Sequence, residues 1–319
     1  METFTPAFGL GNPHLQTLWG PLWRKTTHLE RERERLWLED GDFLDLDWHG
    51  PHSVDAPLVL VLHGLTGSSN SPYVAGIQKA LGARGWASVA LNWRGCSGEP
   101  NRLPRAYHSG DSEEINWILQ RLKHDCPQRP LYAAGVSLGG NVLLKWLGER
   151  GTEATRLLEG AAAVSAPVDL AACGHHLGRG FNRVYSRHFL STLKPTAAAM
   201  LERFPGLFDA RRLRAAATVY DFDDVVTGPV HGFAGAEDYW RRASSKPWLP
   251  AIALPTLMLN AQNDPFMPAQ ALPRADEVSA QVRLEFPREG GHVGFVSGSF
   301  PGKLDWLPQR LLHFFAHGE

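Results

Sequence analysis

The stretch Pro130-Leu-Tyr-Ala-Ala-Gly-Val-Ser-Leu-Gly-Gly-Asn141 constrains the fold of this chain more than any other. A short apolar run leads into Gly135-x-Ser137-x-Gly139, and the residues that follow set Val142, Leu143, Trp146 and Leu147 at helical spacing. A strand that turns this sharply into a helix leaves no room for side chains two residues either side of the serine, so glycine stands at 135 and 139. Ser137 is then isolated, its hydroxyl pointing away from a sheet and toward the positive end of a helix dipole. A Gly-x-Ser-x-Gly match arises easily by chance in a chain with 32 glycines. The strand before it and the helix after it are the context that makes it a nucleophile elbow.

The remaining pattern supplies a fold around that elbow. Glu30-Arg-Glu-Arg-Glu-Arg35 alternates charge, Asp40-Gly41 marks a turn, and Phe43-Leu-Asp-Leu-Asp-Trp48 alternates again, which predicts an exposed antiparallel hairpin whose charged faces protect a sheet edge. From Pro57 the pattern becomes that of buried parallel strands separated by helices. Leu58–Leu62 is a continuous apolar run, 73–81 and 111–122 read as helices, and 86–91, 130–134, 160–165, 255–260 and 282–286 as strands. The expectation is an α/β fold with a mostly parallel eight-stranded sheet. Between Pro167 and Pro250 the rhythm lapses for about eighty residues, too long for a structureless loop. Its helix-compatible composition, with Phe181, Tyr185, Phe189, Phe204, Phe208, Tyr220, Phe222, Phe233, Tyr239 and Trp240, predicts a helical cap inserted over the strand ends. Residues 1–28 are expected to be an irregular leader packed on the body, 29–166 and 251–319 the core, and 167–250 the cap.

A serine hydroxyl attacks a carbonyl only with an adjacent base that is itself oriented by an acid. Asp264 lies in the loop after the strand 255–260, and Gly290-Gly-His292-Val-Gly294 follows the strand 282–286. The chain order Ser137, Asp264, His292 is the one this kind of sheet demands. An Asp before Pro265 also suits a plain turn, and His292 is one of 14 histidines. Their positions after the last two strands distinguish them. His175, His176 and His28 lack such context and read as ordinary surface or packed side chains. His63-Gly-Leu-Thr-Gly67 closes the strand 58–62, so the backbone N–H groups of Leu65 and Leu138 are the expected oxyanion donors, with His63 bracing the turn. Asn92-Trp-Arg-Gly-Cys-Ser-Gly98 lacks either phosphate-binding fingerprint and reads as a strand-to-helix turn at the site's rim.

Composition narrows the partner. The net charge is −1 from 32 basic and 33 acidic residues, so no summed field recruits nucleic acid or anionic lipid, and a small hydrophobic substrate is expected. Cys96, Cys126 and Cys173 are widely spaced, which argues against a disulfide framework or zinc site and for a reducing compartment. The first twenty residues lack a signal-peptide pattern and no apolar window reaches membrane-spanning length, so the expectation is a soluble cytoplasmic protein without cofactor or metal.

Five dispersed motifs occur in order: Asn12-Pro-His-Leu-Gln-Thr17, His63-Gly-Leu-Thr-Gly67, Asn92-Trp-Arg-Gly95, Gly135-Val-Ser-Leu-Gly-Gly140 and Asn263-Asp-Pro265. On these the chain resembles the α/β-hydrolase superfamily over residues 30–319, and more specifically the bacterial YheT-like hydrolases, whose eukaryotic relatives are lipid-handling α/β-hydrolase-domain proteins. The resemblance implies a Ser137-Asp264-His292 charge relay and hydrolysis of carboxylic esters with short or medium acyl chains. Thioesters, lactones, monoacylglycerols and peptides remain open on the same three residues, as does a binding protein that keeps the fold without turnover. The His-x-x-x-x-Asp acyltransferase motif of some of the broader group is not matched by His108-Ser-Gly-Asp111, and no counterpart of the eukaryotic relatives' membrane anchor is expected from the residues at this N-terminus.

Overall fold

A computed structural model describes residues 3–23, 29–53 and 55–319; the expectation for His28 lies outside them. Eight strands form one sheet: β1 (Glu32–Trp37), β2 (Phe43–His49), β3 (Leu58–Leu62), β4 (Ala87–Asn92), β5 (Leu131–Val136), β6 (Gly160–Val164), β7 (Thr256–Leu259) and β8 (Val282–Glu285). Their spatial order is β1-β2-β4-β3-β5-β6-β7-β8, with β1 and β2 antiparallel and every pairing from β4 to β8 parallel. All five residues of β3 are buried, because the pleat sends Leu58, Leu60 and Leu62 into one core layer and Val59 and Val61 into the other. Each such aliphatic side chain contributes about 1.5–3 kcal/mol by leaving water.

Helices cover both faces. Following α1 (Pro13–Trp23), α2 (Pro72–Ala83) joins the C-terminal helix Trp306–His317 on one face through Val74, Ile77, Leu81, Leu311 and Phe314. On the other face lie α3 (Ser112–Asp125) and α4 (Leu138–Arg150). In α3 the buried Ile115, Ile118, Leu119 and Leu122 repeat at three and four residues, the stripe of a half-exposed helix. The helix after the elbow, α4, is buried along residues 138–148, as expected for a central helix wrapped by neighbours.

Two expectations need correction. The charged hairpin is not an exposed pair of strands: β1 is the edge, but Phe43–Asp47 of β2 are buried. Arg33 stands opposite Asp47 and Arg35 opposite Asp45, each pair joined by two hydrogen bonds of 2.8–2.9 Å. Burial alone would raise the Asp47 carboxyl, but Arg33, Ser69 and Asn92 more than offset it and hold it below the usual carboxylate range. Alternating charge that reads as solvent-facing is therefore a ladder of neutralised pairs on one face, with Leu36, Leu44 and Leu46 in the core on the other. The leader is not irregular either, since α1 begins at Asn12-Pro13. Asn12 Oδ1 accepts the His14 and Leu15 N–H groups at 2.9 and 3.2 Å, an N-cap followed by proline in the first turn.

Between β6 and β7 the chain contains no strand. It runs through α5 (Leu170–Leu177), α6 (Arg183–Arg203), the short helices Ala210–Ala215 and Ala236–Ala243, and a π-helical turn at Asp223–Thr227. Separate small cores hold this segment together, one of them around Leu190, Leu213 and Phe222.

Candidate active site

The elbow is as tight as its glycines require. A Cβ on Gly135 would strike the Gly139 carbonyl, and one on Gly139 would lie 2.6 Å from the Leu62 carbonyl oxygen and 2.7 Å from that of His63. Ser137 takes φ 53° and ψ −121°, a conformation that costs a non-glycine residue about 1–3 kcal/mol and persists only where the surroundings over-determine it. Its N–H donates to the Val164 carbonyl of β6 at 2.8 Å, and its own carbonyl accepts from Gly140 and Asn141, so strand and helix clamp it from both sides.

Asp264 and His292 come to it from the loops after β7 and β8. His292 Nε2 lies 3.0 Å from Ser137 Oγ, and His292 Nδ1 lies 2.8 Å from Asp264 Oδ2. Asp264 is buried, and His292 keeps only a small exposed edge. Asp264 Oδ1 accepts the Phe266 N–H at 2.8 Å, which fixes the carboxylate plane, and the Phe266 ring stacks on the imidazole at 4.0 Å between centroids. With Nδ1–H donated to the carboxylate, the Nε2 lone pair faces the serine hydroxyl, the arrangement needed for proton withdrawal.

The turn after β3 lies against the serine. A Cβ on Gly64 would sit 3.0 Å from Ser137 Cβ. Gly67 N–H closes the turn on the Gly64 carbonyl at 3.1 Å, Thr66 takes φ 57°, and the Gly64 and Thr66 N–H groups donate to the Tyr73 and Tyr107 hydroxyls. Leu65 N–H is left without an acceptor among the described residues, as is that of Leu138 at the first position of α4. His63 is wholly buried. Its Nδ1 bonds the Gly64 carbonyl at 2.8 Å, its Nε2 accepts from Trp93 N–H at 3.3 Å, and burial lowers its pKa to about 4. It is a neutral brace of the turn, as its place in the sequence suggests.

Ser137, Leu65, Leu138 and His292 open onto a cavity of about 710 Å³, large enough for a ligand of some twenty heavy atoms. The segment between β6 and β7 forms much of its wall. Of the ten aromatics named above, Phe189, Phe222, Tyr239 and Trp240 line it and the other six do not. Cys96 and Cys173 also reach the cavity, but burial pushes the Cys96 thiol up to about 12 and that of Cys173 well above its ordinary value, so neither offers a thiolate. Gly95 and Gly98 line the cavity from a long loop between Asn92 and Ser112, so this segment is not the direct strand-to-helix turn expected, while Arg94 is buried against Asp40, Asp42 and Glu114. Among the described residues no three His, Cys, Asp or Glu side chains gather as a metal site.

A profile of the α/β hydrolase fold matches residues 57–299. The chain belongs to the α/β-hydrolase fold family. It is 41% identical over 312 residues to the protein YheT of Escherichia coli (strain K12), a match that spans 97% of this chain and 91% of that one. It is 29% identical over 322 residues to mouse phospholipase ABHD3, covering 98% and 78% of the two chains. To the monoacylglycerol lipase of Saccharomyces cerevisiae it is 31% identical over 268 residues, covering 81% and 58%. Among solved structures, Est1E from Butyrivibrio proteoclasticus with bound ferulic acid aligns with a TM-score of 0.59 at 17% identity over 89% of this chain and 98% of that one. At that identity the likeness speaks for the fold alone. This α/β hydrolase has no helix among its described residues long and apolar enough to cross a membrane.

Several residues of the site escape a reading of the α/β-hydrolase sequence alone. Ser165, at φ 49°, accepts the Val293 N–H at 3.2 Å, and Asn263 Oδ1 accepts that of Gly291 at 3.1 Å. Tyr73 in the first turn of α2, and Phe266 and Tyr107 in the loops after β7 and β4, shape the site from positions outside the motifs. Asn12 and Pro13 open α1 within what reads as an irregular leader, and nothing local announces that this helix meets the His292 loop.

Proposed function

We propose that this α/β hydrolase is a serine esterase that cleaves carboxylic esters of short to medium acyl chains through an acyl-enzyme. The observation that carries the reading is the hydrogen-bonded line Asp264–His292–Ser137 opening onto a largely apolar cavity. Ser137 Oγ attacks the ester carbonyl carbon while its proton passes to His292 Nε2. The charge on the carbonyl oxygen is met by the Leu65 and Leu138 N–H groups. His292 then gives the proton to the departing alkoxide, leaving acyl-Ser137 and free alcohol. A water molecule enters, yields a proton to the same nitrogen and attacks the acyl carbon, which releases the carboxylic acid and returns the proton to Ser137. Asp264 keeps Nδ1 protonated and stabilises the imidazolium formed in each half-reaction. No cofactor takes part in this scheme.

Residues 167–250 act in this reading as a cap on the core 29–166 and 251–319, with the leader 1–28 packed alongside. The cavity volume suits an acyl chain of moderate length, and relatives named phospholipase and monoacylglycerol lipase are consistent with an apolar ester. Three unpaired cysteines favour a reducing compartment, the cytoplasm. A panel of p-nitrophenyl esters from two to twelve acyl carbons, run on wild type and Ser137→Ala, tests the proposal. Turnover that peaks within the shorter half of the series and vanishes in the variant is expected; a flat response independent of Ser137 overturns it.

A further inference from the structure

The loop that carries His292 is unusual in its backbone. Gly290, Gly291, Val293 and Phe295 all have positive φ, of 149°, 60°, 59° and 41°, and a β-branched valine in that region needs external restraint. The restraints come from distant elements. Asn263 holds the N–H of Gly291 and Ser165 that of Val293, while α1 of the leader holds two further positions. Thr17 Oγ1 accepts the His292 N–H at 2.9 Å, and Gln16 Oε1 accepts the Val296 N–H at 2.8 Å. The Gln16 amide also donates to the Leu10 and Val296 carbonyls at 2.8 and 3.1 Å, so its side chain is fully engaged and wholly buried. Contact between helix and loop is close enough to exclude a methyl group. A Cβ on Gly291 would lie 2.7 Å from Gln16 Cβ, 2.7 Å from the Pro13 carbonyl oxygen and 2.8 Å from Thr17 Oγ1.

From this we infer that Thr17 is a positioning residue for the hydrolytic reaction, and that the leader helix is a working part of the active site. The inference rests on the reading of Ser137, His292 and Asp264 given above. Among the described residues Thr17 is the side chain that holds the backbone of His292 itself. Its hydroxyl donates to the Pro13 carbonyl one turn earlier at 2.7 Å, which turns an oxygen lone pair toward the loop and fixes its direction. A small rotation at the His292 Cα sweeps Nε2 away from Ser137 Oγ, and misplacement of a reacting group by about 1 Å costs on the order of 10²-fold in rate. Thr17 touches no substrate, so its loss acts on turnover rather than on binding.

The test compares wild type, Thr17→Val, Thr17→Ser and Ser137→Ala on one p-nitrophenyl ester, with thermal unfolding of each. Valine keeps the shape of threonine and removes the acceptor; serine keeps the acceptor. Expected for Thr17→Val are a kcat lowered about 10- to 100-fold, a KM within about twofold of wild type and a thermal midpoint within about 4 °C of it. Expected for Thr17→Ser is a kcat within about threefold of wild type. The inference is overturned if Thr17→Val turns over as fast as a wild type whose activity depends on Ser137. It is equally overturned if Thr17→Ser is as impaired as Thr17→Val, or if KM alone changes. Wild-type turnover that survives Ser137→Ala sinks the triad reading first, and this inference with it.

Discussion

Replacing Gly139 by alanine perturbs the elbow where its backbone presses on β3. The added Cβ would stand 2.6 Å from the Leu62 carbonyl oxygen, roughly 0.8 Å short of ordinary van der Waals contact. That oxygen belongs to β3, which is paired with β4 on one side and β5 on the other and has no freedom to withdraw. The strain must therefore fall on α4, whose first eleven residues are packed on all sides. Overpacking a core with a flexible neighbour costs about 1–3 kcal/mol, and with rigid backbone on one side and a buried helix on the other the upper end, about 3 kcal/mol, applies. Ser137 lies two residues before the insertion, so a displacement of about 1 Å should also lower kcat on the order of 10²-fold. Gly76→Ala in α2 is the matched control, because its nearest new neighbour would be Pro308 Cγ at 3.6 Å. There alanine should stabilise by about 0.5–1 kcal/mol through helix propensity alone. Urea unfolding read by tryptophan fluorescence and p-nitrophenyl butyrate hydrolysis measure both effects. A Gly139→Ala protein as stable and as active as wild type would refute the steric reasoning.

Further outcomes follow from the site and from the segment between β6 and β7. Asp264→Asn should fold normally yet lose about 10⁴-fold in kcat. The amide oxygen will keep the Phe266 N–H, which turns the NH₂ group toward His292 and forces the ring proton onto Nε2; retention of more than a tenth of activity would contradict this. Asp223, buried in the cavity wall, is pushed up to about 6 by burial, partly offset by bonds from Thr227 and Trp240. The folded protein thus holds this proton to higher pH than the unfolded chain, so the associated stability is full below about pH 4 and is lost as pH rises through about 6, to the extent of about 3 kcal/mol. Asp223→Asn should melt above wild type at pH 8 and close to it at pH 4, and equal midpoints at pH 8 would rule the mechanism out.

How much of this was legible in the sequence depended on whether each signal was local. The elbow was, because its strand, turn and helix are consecutive in the chain and Gly135 answers to Gly139 within them, and so were the positions of the buried strands, because a strand covered on both faces must be apolar throughout. The β3 run Leu58–Leu62 shows both layers at once. The carboxylate and imidazole were legible by position after β7 and β8, although their convergence on Ser137 is a property of the sheet. Asp45 and Asp47 misled because burial of a charge depends on its partner across the ladder, and Arg33 and Arg35 lie on another strand. The leader misled for a similar reason. Its helix went unread, and the partner of Thr17 is 275 residues away, a pairing that no periodicity reports. The buried Asp223 likewise depends on Trp240, brought to it by a π-helical turn that spacing does not announce.

The central claim is that Ser137 is a nucleophile activated by His292, and covalent trapping tests it most directly. Wild type, Ser137→Ala and His292→Ala are treated with an alkyl fluorophosphonate and the modified residue is located by peptide mass spectrometry. Rapid stoichiometric labelling at Ser137 in wild type, none in Ser137→Ala and labelling slowed by on the order of 10²-fold or more in His292→Ala are expected. A folded wild type that stays unlabelled at Ser137, or that labels as fast without the imidazole, would contradict it.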